Sequence, residues 1–322
     1  MRHFCTYFDS NYLLRGLTLY RSLMATDCTF RLHVVALDEA TAAILSGLGL
    51  PNLEVVPLAE IEAWAPVLLA AKANRRIIEY YFTLTPQLPL FFFARHPEVE
   101  LITYVDADLY FYASPEPLFA EIGERSILIT PHRYPPHLQG QEVYGLFNVQ
   151  YQGFRRDAAG LACLERWRDQ CLEWCYDRAE DGKYGDQKYL DEWPTLYGDR
   201  LTILQHRGGG VAPWNWSGTP ITRRGDAVSV GGDPLIFYHF HGVKLFNPWF
   251  MSNGLLDWGV MPWRLLRWFY VGYLRQLRAT RRWLGDHGVE VAMRDRFLRS
   301  GGIGVAAIGE VLRKAWVQAT FG

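Results

Sequence analysis

The sequence predicts an α/β fold in which helices flank a mixed, mostly parallel central sheet. Short apolar segments such as 3–8 and 31–37 alternate with longer segments, such as 13–24 and 41–48, whose apolar residues recur at helical spacing. Strands separated by helices indicate a sheet of the doubly wound type. With 322 residues, of which 49% are hydrophobic and 21% charged, the chain can bury a sizeable core.

Each further element is predicted from its local pattern. Strands are predicted at 53–57, 101–111, 126–130 and 146–154, where apolar residues run between turn residues. Helices are predicted at 72–81 and 158–178, the second with Gly160, Leu164, Trp167 and Cys171 on one stripe. A polar loop follows at 182–199, and Gly208-Gly209-Gly210 predicts a turn or a close approach of the backbone to a ligand.

The C-terminal part of the chain differs in composition from the rest. From about Trp258, aromatic residues are interleaved with arginines, which predicts helices. We therefore expect a catalytic domain over 1–250 and a helical extension over 251–322. This extension is expected either to lie on an anionic membrane face, where Trp and Arg occupy the interface, or to pack on the domain.

Charge and cysteine content exclude several classes of protein. A net charge of −1 gives no support for nucleic-acid binding. None of the five cysteines forms a Cys-x-x-Cys motif, which argues against a structural zinc site and favours reduced thiols. The first strand begins without a secretory apolar region, and no stretch approaches about 18 uncharged apolar residues. The expected location is cytoplasmic.

Two carboxylates stand at the end of an apolar run. Asp106 and Asp108 are spaced i, i+2, so on a strand both side chains project to the same face. Hard oxygen ligands at a strand end suit Mg²⁺ or Mn²⁺, which binds a few carboxylates together with substrate phosphates. The alternative is that both residues cap a turn and accept backbone N–H groups.

Several motifs together resemble one enzyme family. Tyr104-Val105-Asp106-Ala107-Asp108 resembles the Asp-x-Asp motif of glycosyltransferases with the GT-A fold. The start of the chain, 6–12, resembles the nucleotide-binding segment of glycosyltransferase family 8. The block 238–249 resembles that family's His-x-x-Gly-x-x-Lys-Pro-Trp signature, and 185–190 resembles its Asp-Gln segment. The likeness spans roughly 3–250 with the motifs in the expected order, which makes it specific.

The resemblance implies a metal site on the diphosphate of a nucleotide sugar, with UDP the expected nucleotide. Its ligands would be Asp106, Asp108 and His239, and its ion Mn²⁺ or Mg²⁺. His239 and His241 would share a face, and His239 is favoured by its spacing to Gly242. The implied contacts to the nucleotide sugar are Thr6, Tyr7, Asp9, Arg75, Arg76, Asp106, Ala107, Gly242 and Lys244.

Two of these contacts have a structural alternative. Asp9 could cap the helix that follows it, a common use of Asp-Ser-Asn. Lys244 lies two residues after Gly242 where the family has three, so it is either a phosphate contact or a solvated lysine. For Arg75 and Arg76, solvated positions on a helix are the alternative to phosphate binding.

The resemblance also implies the residues on the reacting face. Asp186 would orient donor hydroxyls, and Gln187 would lie beneath the sugar as a poor nucleophile, so the anomeric configuration is retained by front-face attack. The alternative is that both residues cap a loop. Asn148, Trp214 and Asn215 are candidate contacts to the acceptor or the sugar, with core and turn positions as the alternative.

The function implied is a metal-dependent retaining glycosyltransferase that moves a hexose to a glycan or glycolipid hydroxyl. A lipid-linked acceptor would place the enzyme peripherally at the inner face of the cytoplasmic membrane. One alternative is a carbohydrate-binding or scaffold protein of envelope polysaccharide assembly. Another is a sugar-nucleotide nucleotidyltransferase, whose Gly-rich, lysine-bearing loop after the first strand is absent from 6–11.

Overall fold

The computed structural model describes residues 1–225, 227–255 and 257–295. Its strands are β1 Arg2–Phe8, β2 Phe30–Ala36, β3 Leu53–Pro57, β4 Leu101–Val105, β5 Leu109–Phe111, β6 Ile127–Pro131, β7 Phe147–Arg155, β8 Leu201–Ile203, β9 Ile221–Arg224, β10 Ala227–Val230, β11 Asp233–Pro234, β12 Phe237–His239, β13 Lys244–Asn247 and β14 Phe250–Ser252.

Helices occupy the connections between these strands and the C-terminal part of the described chain. They are α1 Leu13–Met24, α2 Glu39–Leu48, α3 Leu58–Trp64, α4 Leu68–Asn74, α5 Ile77–Leu84, α6 Gln87–Arg95, α7 Glu116–Ile122, α8 Ala158–Glu173, α9 Trp193–Tyr197, α10 Trp263–Leu266 and α11 Gly272–Asp286. Shorter 3-10 and π-helical turns lie at Pro136–Tyr144, Lys188–Glu192, Gly198–Arg200 and Arg267–Val271.

The central sheet has the order β3-β2-β1-β4-β7-β6-β8. The pairs β3/β2, β2/β1, β1/β4 and β6/β8 are parallel, whereas β7 runs antiparallel to both β4 and β6. Successive strand residues belong to different cores, Phe4 and Val34 to one and Cys5 and Val35 to the other. Since side chains alternate across a sheet, these cores cover its two faces. The predicted mixed, mostly parallel sheet flanked by helices is confirmed.

Most element positions match their predictions, but four segments differ. The predicted helix 158–178 ends at Glu173, and the predicted loop 182–199 contains a 3-10 turn and α9. The run 101–111 is two strands, because the chain turns after Val105 and Leu109 N–H donates to the Asp106 carbonyl (3.3 Å). The predicted helix 72–81 is broken into α4 and α5. Arg75 is extended, and Arg76 caps α5 through Glu79, which accepts a hydrogen bond from the Arg76 backbone N–H (2.8 Å).

Beside the central sheet, β5 pairs antiparallel with β12, and His239 stands opposite Leu109. Phe240 N–H also donates to the Asp108 carbonyl (3.0 Å). This small sheet therefore places the distant His239 beside the turn that follows β4.

The C-terminal helices pack on the α/β domain in the described part of the predicted extension. The Phe240 and Tyr273 rings stack at 3.7 Å, and the Tyr238 and Phe269 rings at 4.2 Å. Thr18 on α1 donates a hydrogen bond to Thr280 on α11 (2.9 Å). Helix α11 thus shares the core of the domain. The C-terminal segment of the predicted extension, 296–322, lies outside the described residues.

A buried ion pair fixes the chain near its described C-terminal end. Arg15 on α1 is 1% exposed and donates to both carboxylate oxygens of Asp295, at 3.0 and 2.9 Å, and to the Val243 carbonyl at 2.8 Å. Breaking such a pair leaves a buried charge without its partner.

We therefore expect Asp295→Ala to lower the free energy of unfolding by about 3–5 kcal/mol. Urea unfolding followed by circular dichroism measures the change. Asp286→Ala, at an exposed position at the end of α11, is the matched control and should leave the midpoint unchanged. Equal midpoints for the two variants would contradict this interpretation of the pair.

Within the described residues, no helix combines the length and the apolar character needed to cross a bilayer.

Candidate active site

Asp106, Asp108 and His239 converge in the turn between β4 and β5. Nε2 of His239 lies 3.0 Å from Oδ1 of Asp108 and 3.6 Å from Oδ2 of Asp106. The three ligand atoms lie within 4.8 Å of one another. Asp108 and His239 are buried, and the Asp106 side chain is 21% exposed, so the cluster opens to solvent through Asp106.

The aspartates converge by a different route from the predicted one. They do not share a strand face, because Asp106 follows β4 and Asp108 lies in the turn before β5. Asp106 is also held by Tyr104, whose hydroxyl donates to Oδ1 at 2.9 Å. The turn, rather than strand alternation, brings the two carboxylates to His239.

The pKa values in the cluster show that it stabilises positive charge. Burial raises the pKa of Asp106 to about 6, with the negative charge of Asp108 adding to the effect. Burial also opposes ionisation of Asp108, but the charge and hydrogen bond of His239 lower the pKa of Asp108 to about 2. For His239 burial opposes protonation, yet the two carboxylates raise its pKa above the ordinary value.

The donor set fits a divalent cation. Two carboxylate oxygens and one imidazole nitrogen are ligands that Mn²⁺ accepts, and a cation would take over the charge compensation that a proton on His239 otherwise supplies. His241 is not part of this group among the described residues. Its ring lies 5.5 Å from the His239 ring, and burial lowers the pKa of His241 to about 4.

An aromatic wall adjoins the cluster at the end of β1. The Tyr7 ring lies 6.0 Å from the rings of both Tyr104 and Tyr81, and its hydroxyl is 3.3 Å from the Thr85 hydroxyl. Tyr7 is half-buried, and Thr6 beside it is fully buried. Tyr104 is itself buried and also holds Asp106, so it connects the Tyr7 ring with the acidic cluster.

Asp9 closes the turn after β1. Its Oδ1 accepts hydrogen bonds from the backbone N–H groups of Asn11 (3.0 Å) and Tyr12 (3.2 Å). Asp9 therefore accepts backbone N–H groups just before α1, as the capping alternative expects, but the N-cap residue of α1 is Tyr12 and not Asp9.

Asp186 lies near Asp106 and Thr85. Its side chain is buried, and Oδ2 has no hydrogen-bond partner among the described residues. Burial, together with the negative charge of Asp106, raises the pKa of Asp186 to about 7 despite a hydrogen bond from Thr85. A buried carboxylate oxygen without a partner is typical of a site that a ligand completes.

Gln187 and Asn148 form one hydrogen-bonded pair. Nδ2 of Asn148 donates to Oε1 of Gln187 (3.1 Å) and lies 3.0 Å from Nε2 of His132. The Gln187 amide donates to the Tyr144 carbonyl (2.9 Å). The pair therefore holds the Gln187 side chain in one orientation next to Asp186.

Trp214 and Asn215 occupy core and turn positions. The Trp214 ring is buried edge-on against the rings of His239 (5.4 Å) and His241 (5.6 Å). Asn215 bonds three backbone groups, accepting from Ala212 N–H and donating to the carbonyls of His132 and Gly210. Trp214 thus packs behind the histidines, and Asn215 fixes the loop.

The glycine turn approaches protein atoms. A Cβ on Gly208 would stand 1.7 Å from the Pro234 carbonyl oxygen, so only glycine fits there. The carbonyl of Gly208 in turn accepts hydrogen bonds from Ile236 (2.9 Å) and Phe237 (3.2 Å) at the start of β12. The turn therefore supports the strand that carries His239.

The two arginines predicted to bind the nucleotide sugar have protein partners. Arg75 donates to the Thr83 hydroxyl and to the Leu172 carbonyl. Arg76 is exposed and pairs with Glu79 (2.9 Å) and Asp177 (3.2 Å). Arg76 thus has the solvated position given as its alternative, whereas Arg75 is held by the protein. Binding of the nucleotide sugar by either residue stays a prediction.

Two further predicted contacts lie in the segment that follows β12. Gly242 has a φ of +72°, a conformation that glycine adopts without strain, and it lies beside Gly254. Lys244 is exposed at the first position of β13.

Several residues of this region were not predicted as site residues. Among them are Tyr104, Thr85 and His132, which contact Asp106, Tyr7 and Asn148 respectively. Tyr104 could have been found because it precedes Asp106 by two residues. Thr85 and His132 carry no local signal, since only the folded chain brings them to the site.

Among proteins of known structure, the chain is similar to the galactosyltransferase LgtC, which was solved in complex with donor and acceptor sugar analogues. It is 19% identical, with a TM-score of 0.47 over 86% of this chain and 95% of LgtC. No protein-family model matches the chain.

Among curated proteins, two from Bacillus subtilis (strain 168) are similar in sequence. The uncharacterized protein YfnD is 28% identical over 246 residues, which are 76% of this chain and 78% of YfnD. The uncharacterized protein YfnF is 32% identical over 252 residues, which are 76% of this chain and 82% of YfnF. The chain belongs to the same protein family as YfnF.

Proposed function

We propose that this chain is a metal-dependent retaining glycosyltransferase. It transfers a hexose from a nucleotide-diphosphate sugar, with UDP as the nucleotide, to a hydroxyl of a glycan or glycolipid. The observation that carries the proposal is the convergence of Asp106, Asp108 and His239 at the carboxyl end of β4, next to an aromatic wall. In open α/β sheets, ligands bind beyond this edge.

Asp106, Asp108 and His239 would hold Mn²⁺ or Mg²⁺. When bound, the ion neutralises charge that develops on the leaving diphosphate. Asp106 is the most exposed of the three and is held by Tyr104, so it presents an oriented ligand to the nucleotide side. Trp214 backs His239 and limits movement of the ring.

The aromatic wall supports binding of the nucleotide base. Tyr7 is half-buried, and its hydroxyl is fixed at Thr85, which leaves part of a positioned ring for stacking. The base would then lie at Tyr7 and the diphosphate at Asp106, two residues that the buried Tyr104 connects.

Asp186 and Gln187 would act on the donor sugar. Oδ2 of Asp186, which has no hydrogen-bond partner within the described part of the chain, is an acceptor for a sugar hydroxyl. Gln187 is neutral, and its oxygen accepts from Asn148, so the amide is a weak nucleophile whose role is to orient the sugar. With no strong nucleophile at this position, transfer with retention proceeds by front-face attack, and a phosphate oxygen of the donor takes the proton of the attacking hydroxyl.

A screen of nucleotide sugars, with and without Mn²⁺, tests this function. We expect metal-dependent release of UDP from one donor, accelerated by a glycan or glycolipid acceptor. Release of pyrophosphate from a nucleoside triphosphate and a sugar phosphate would instead indicate a nucleotidyltransferase. Binding of a glycan without turnover of any donor would favour the scaffold alternative.

An exposed aromatic and basic surface supports contact with a membrane that carries a lipid-linked acceptor. Trp249 is 72% and Trp263 is 67% exposed. The Arg278 guanidinium lies 4.0 Å from the Trp249 ring centroid, and Arg267 and Arg281 are exposed nearby in sequence. Tryptophan at the headgroup level together with arginine suits an anionic surface, which would place the enzyme at the inner face of the cytoplasmic membrane.

We expect the double variant Trp249→Ala/Trp263→Ala to bind vesicles of phosphatidylserine and phosphatidylcholine roughly tenfold more weakly than the unchanged chain. Cosedimentation measures the bound fraction. Trp64→Ala, which removes a 42% exposed tryptophan on α3, is the control and should bind as the unchanged chain does. Equal sedimentation of all three proteins with the vesicles would argue against membrane contact through this surface.

A further inference from the structure

A second cluster of metal-ligating side chains lies away from the aspartate turn. His33 on β2, Glu54 on β3 and His96 after α6 place one ligand atom each within 4.8 Å of the others. Oε2 of Glu54 is 2.6 Å from Nδ1 of His33 and 2.8 Å from Nε2 of His96. In the sheet order β3-β2-β1-β4, strand β1 separates this cluster from the strand that ends at Asp106.

We propose that His33, Glu54 and His96 form a binding site for Zn²⁺. Two imidazole nitrogens and one carboxylate oxygen are a ligand set that zinc uses when three protein ligands leave one position for water. Imidazole selects against Mg²⁺ and Ca²⁺, which prefer oxygen ligands. The site is therefore chemically distinct from the oxygen-rich Asp106 turn.

The groups around the cluster orient its ligands. Nε2 of His33 lies 3.0 Å from Nδ1 of His3, so His33 can donate that N–H to His3 while its Nδ1 faces the ion. The second oxygen of Glu54 accepts a hydrogen bond from Arg95 Nε (2.8 Å). Arg95 also pairs with Glu60 at 2.9 Å. Such partners of ligating residues are typical of metal sites.

The geometry accommodates an ion with a small adjustment. Tetrahedral zinc with bonds of about 2.0–2.1 Å separates its ligand atoms by roughly 3.3 Å, so the distances of Glu54 from His33 and from His96 must grow by about 0.7 and 0.5 Å. His96 lies beyond the end of α6 with 23% of its side chain exposed, which allows its part of this movement and gives water access to the fourth position. His33 is almost fully buried, so the Glu54 carboxylate, on a side chain that is 13% exposed, makes the other part.

The three ligands come from different elements, His33 from β2, Glu54 from β3 and His96 from the segment after α6. An ion held here would join β2, β3 and the end of α6, which are otherwise linked by hydrogen bonds.

The experiment uses the full chain with Asp106→Asn and Asp108→Asn, so that the first site does not contribute. Equilibrium dialysis against Zn²⁺ alone, followed by metal analysis, measures binding. We expect one zinc ion per chain, and a loss of affinity of at least about 100-fold when His96→Gln is added. His3→Gln should cost about 10- to 100-fold, because it removes only the orienting partner. His137→Gln, at an exposed position, is the control and should leave affinity unchanged.

Two further measurements keep the test independent of folding defects and of activity. Co²⁺ bound to the Asp106→Asn/Asp108→Asn variant should give a visible absorption band, and this band should disappear when His96→Gln is added. Zinc should raise the melting temperature of the Asp106→Asn/Asp108→Asn variant but not that of the variant with His96→Gln added. Glu54→Gln, which retains the shape of the side chain, replaces His96→Gln if the latter misfolds. Equal zinc binding by the proteins with and without His96→Gln would overturn the proposal.

Discussion

Asp108→Asn is expected to reduce metal-dependent sugar transfer at least about 1000-fold. A bound cation contributes several kilocalories per mole to stabilising the transition state, and each 1.36 kcal/mol is a factor of ten in rate. The substitution removes one ligand charge from the Asp106–Asp108–His239 cluster while keeping the size of the side chain. Initial rates with the donor found in the screen, at several Mn²⁺ concentrations, measure the loss.

The same variant should remain folded. Asn keeps the size of the side chain, but the substitution removes the charge that His239 stabilises, so the melting temperature without metal should fall modestly. The increase in melting temperature that Mn²⁺ gives the unchanged chain should disappear. Asp199→Asn, at an exposed position, is the control and should behave as the unchanged chain. Full Mn²⁺-dependent turnover by Asp108→Asn would show that the metal site is assigned wrongly.

Asp186→Asn is expected to lower kcat roughly 10- to 150-fold while leaving the affinity for UDP unchanged. A hydrogen bond to a charged group contributes about 1.5–3 kcal/mol, and this one would be made to the transferred sugar, not to the nucleotide. The side chain of Asp186 is buried, and Oδ2 has no partner in the described chain. Steady-state kinetics and calorimetry with UDP separate the two effects.

Gln187→Ala gives a useful comparison for this prediction. It removes the neighbouring amide that Asn148 orients, without changing the charge of the site. If Asp186 instead only supported the loop, Asp186→Asn would weaken UDP binding and kcat in parallel and lower the melting temperature. That pattern would exclude a direct role toward the sugar.

The sequence was sufficient to predict the sheet and the residues of the acidic cluster. Apolar periodicity located strands such as β3 and helices such as α1, because burial of their apolar residues dictates both the spacing and the pairing. It did not predict that the run after Leu101 turns at Asp106. Two backbone hydrogen bonds determine that geometry: Asp106 N–H donates to the distant Gln150 carbonyl, and Leu109 N–H donates to the Asp106 carbonyl within the turn.

Contacts between side chains from distant segments could not be predicted from local patterns in the sequence. Arg76 pairs with Glu79, three residues further along the chain, which local spacing could indicate, and with the distant Asp177, which it could not. Phosphate binding by Arg76 stays a prediction. His33 and Glu54 likewise meet only because β2 and β3 pair in register, and local spacing carries no information on that contact.

The central claim is that Asp106, Asp108 and His239 hold a cation that bridges the diphosphate of the donor. Calorimetric titration of UDP into the unchanged chain, with Mn²⁺ and with a chelator, tests it most directly. The account predicts that Mn²⁺ tightens UDP binding at least about tenfold, as expected when a carboxylate-held cation meets phosphate, and that Asp108→Asn abolishes this gain. Equal UDP affinity with and without Mn²⁺ in the unchanged chain would contradict it.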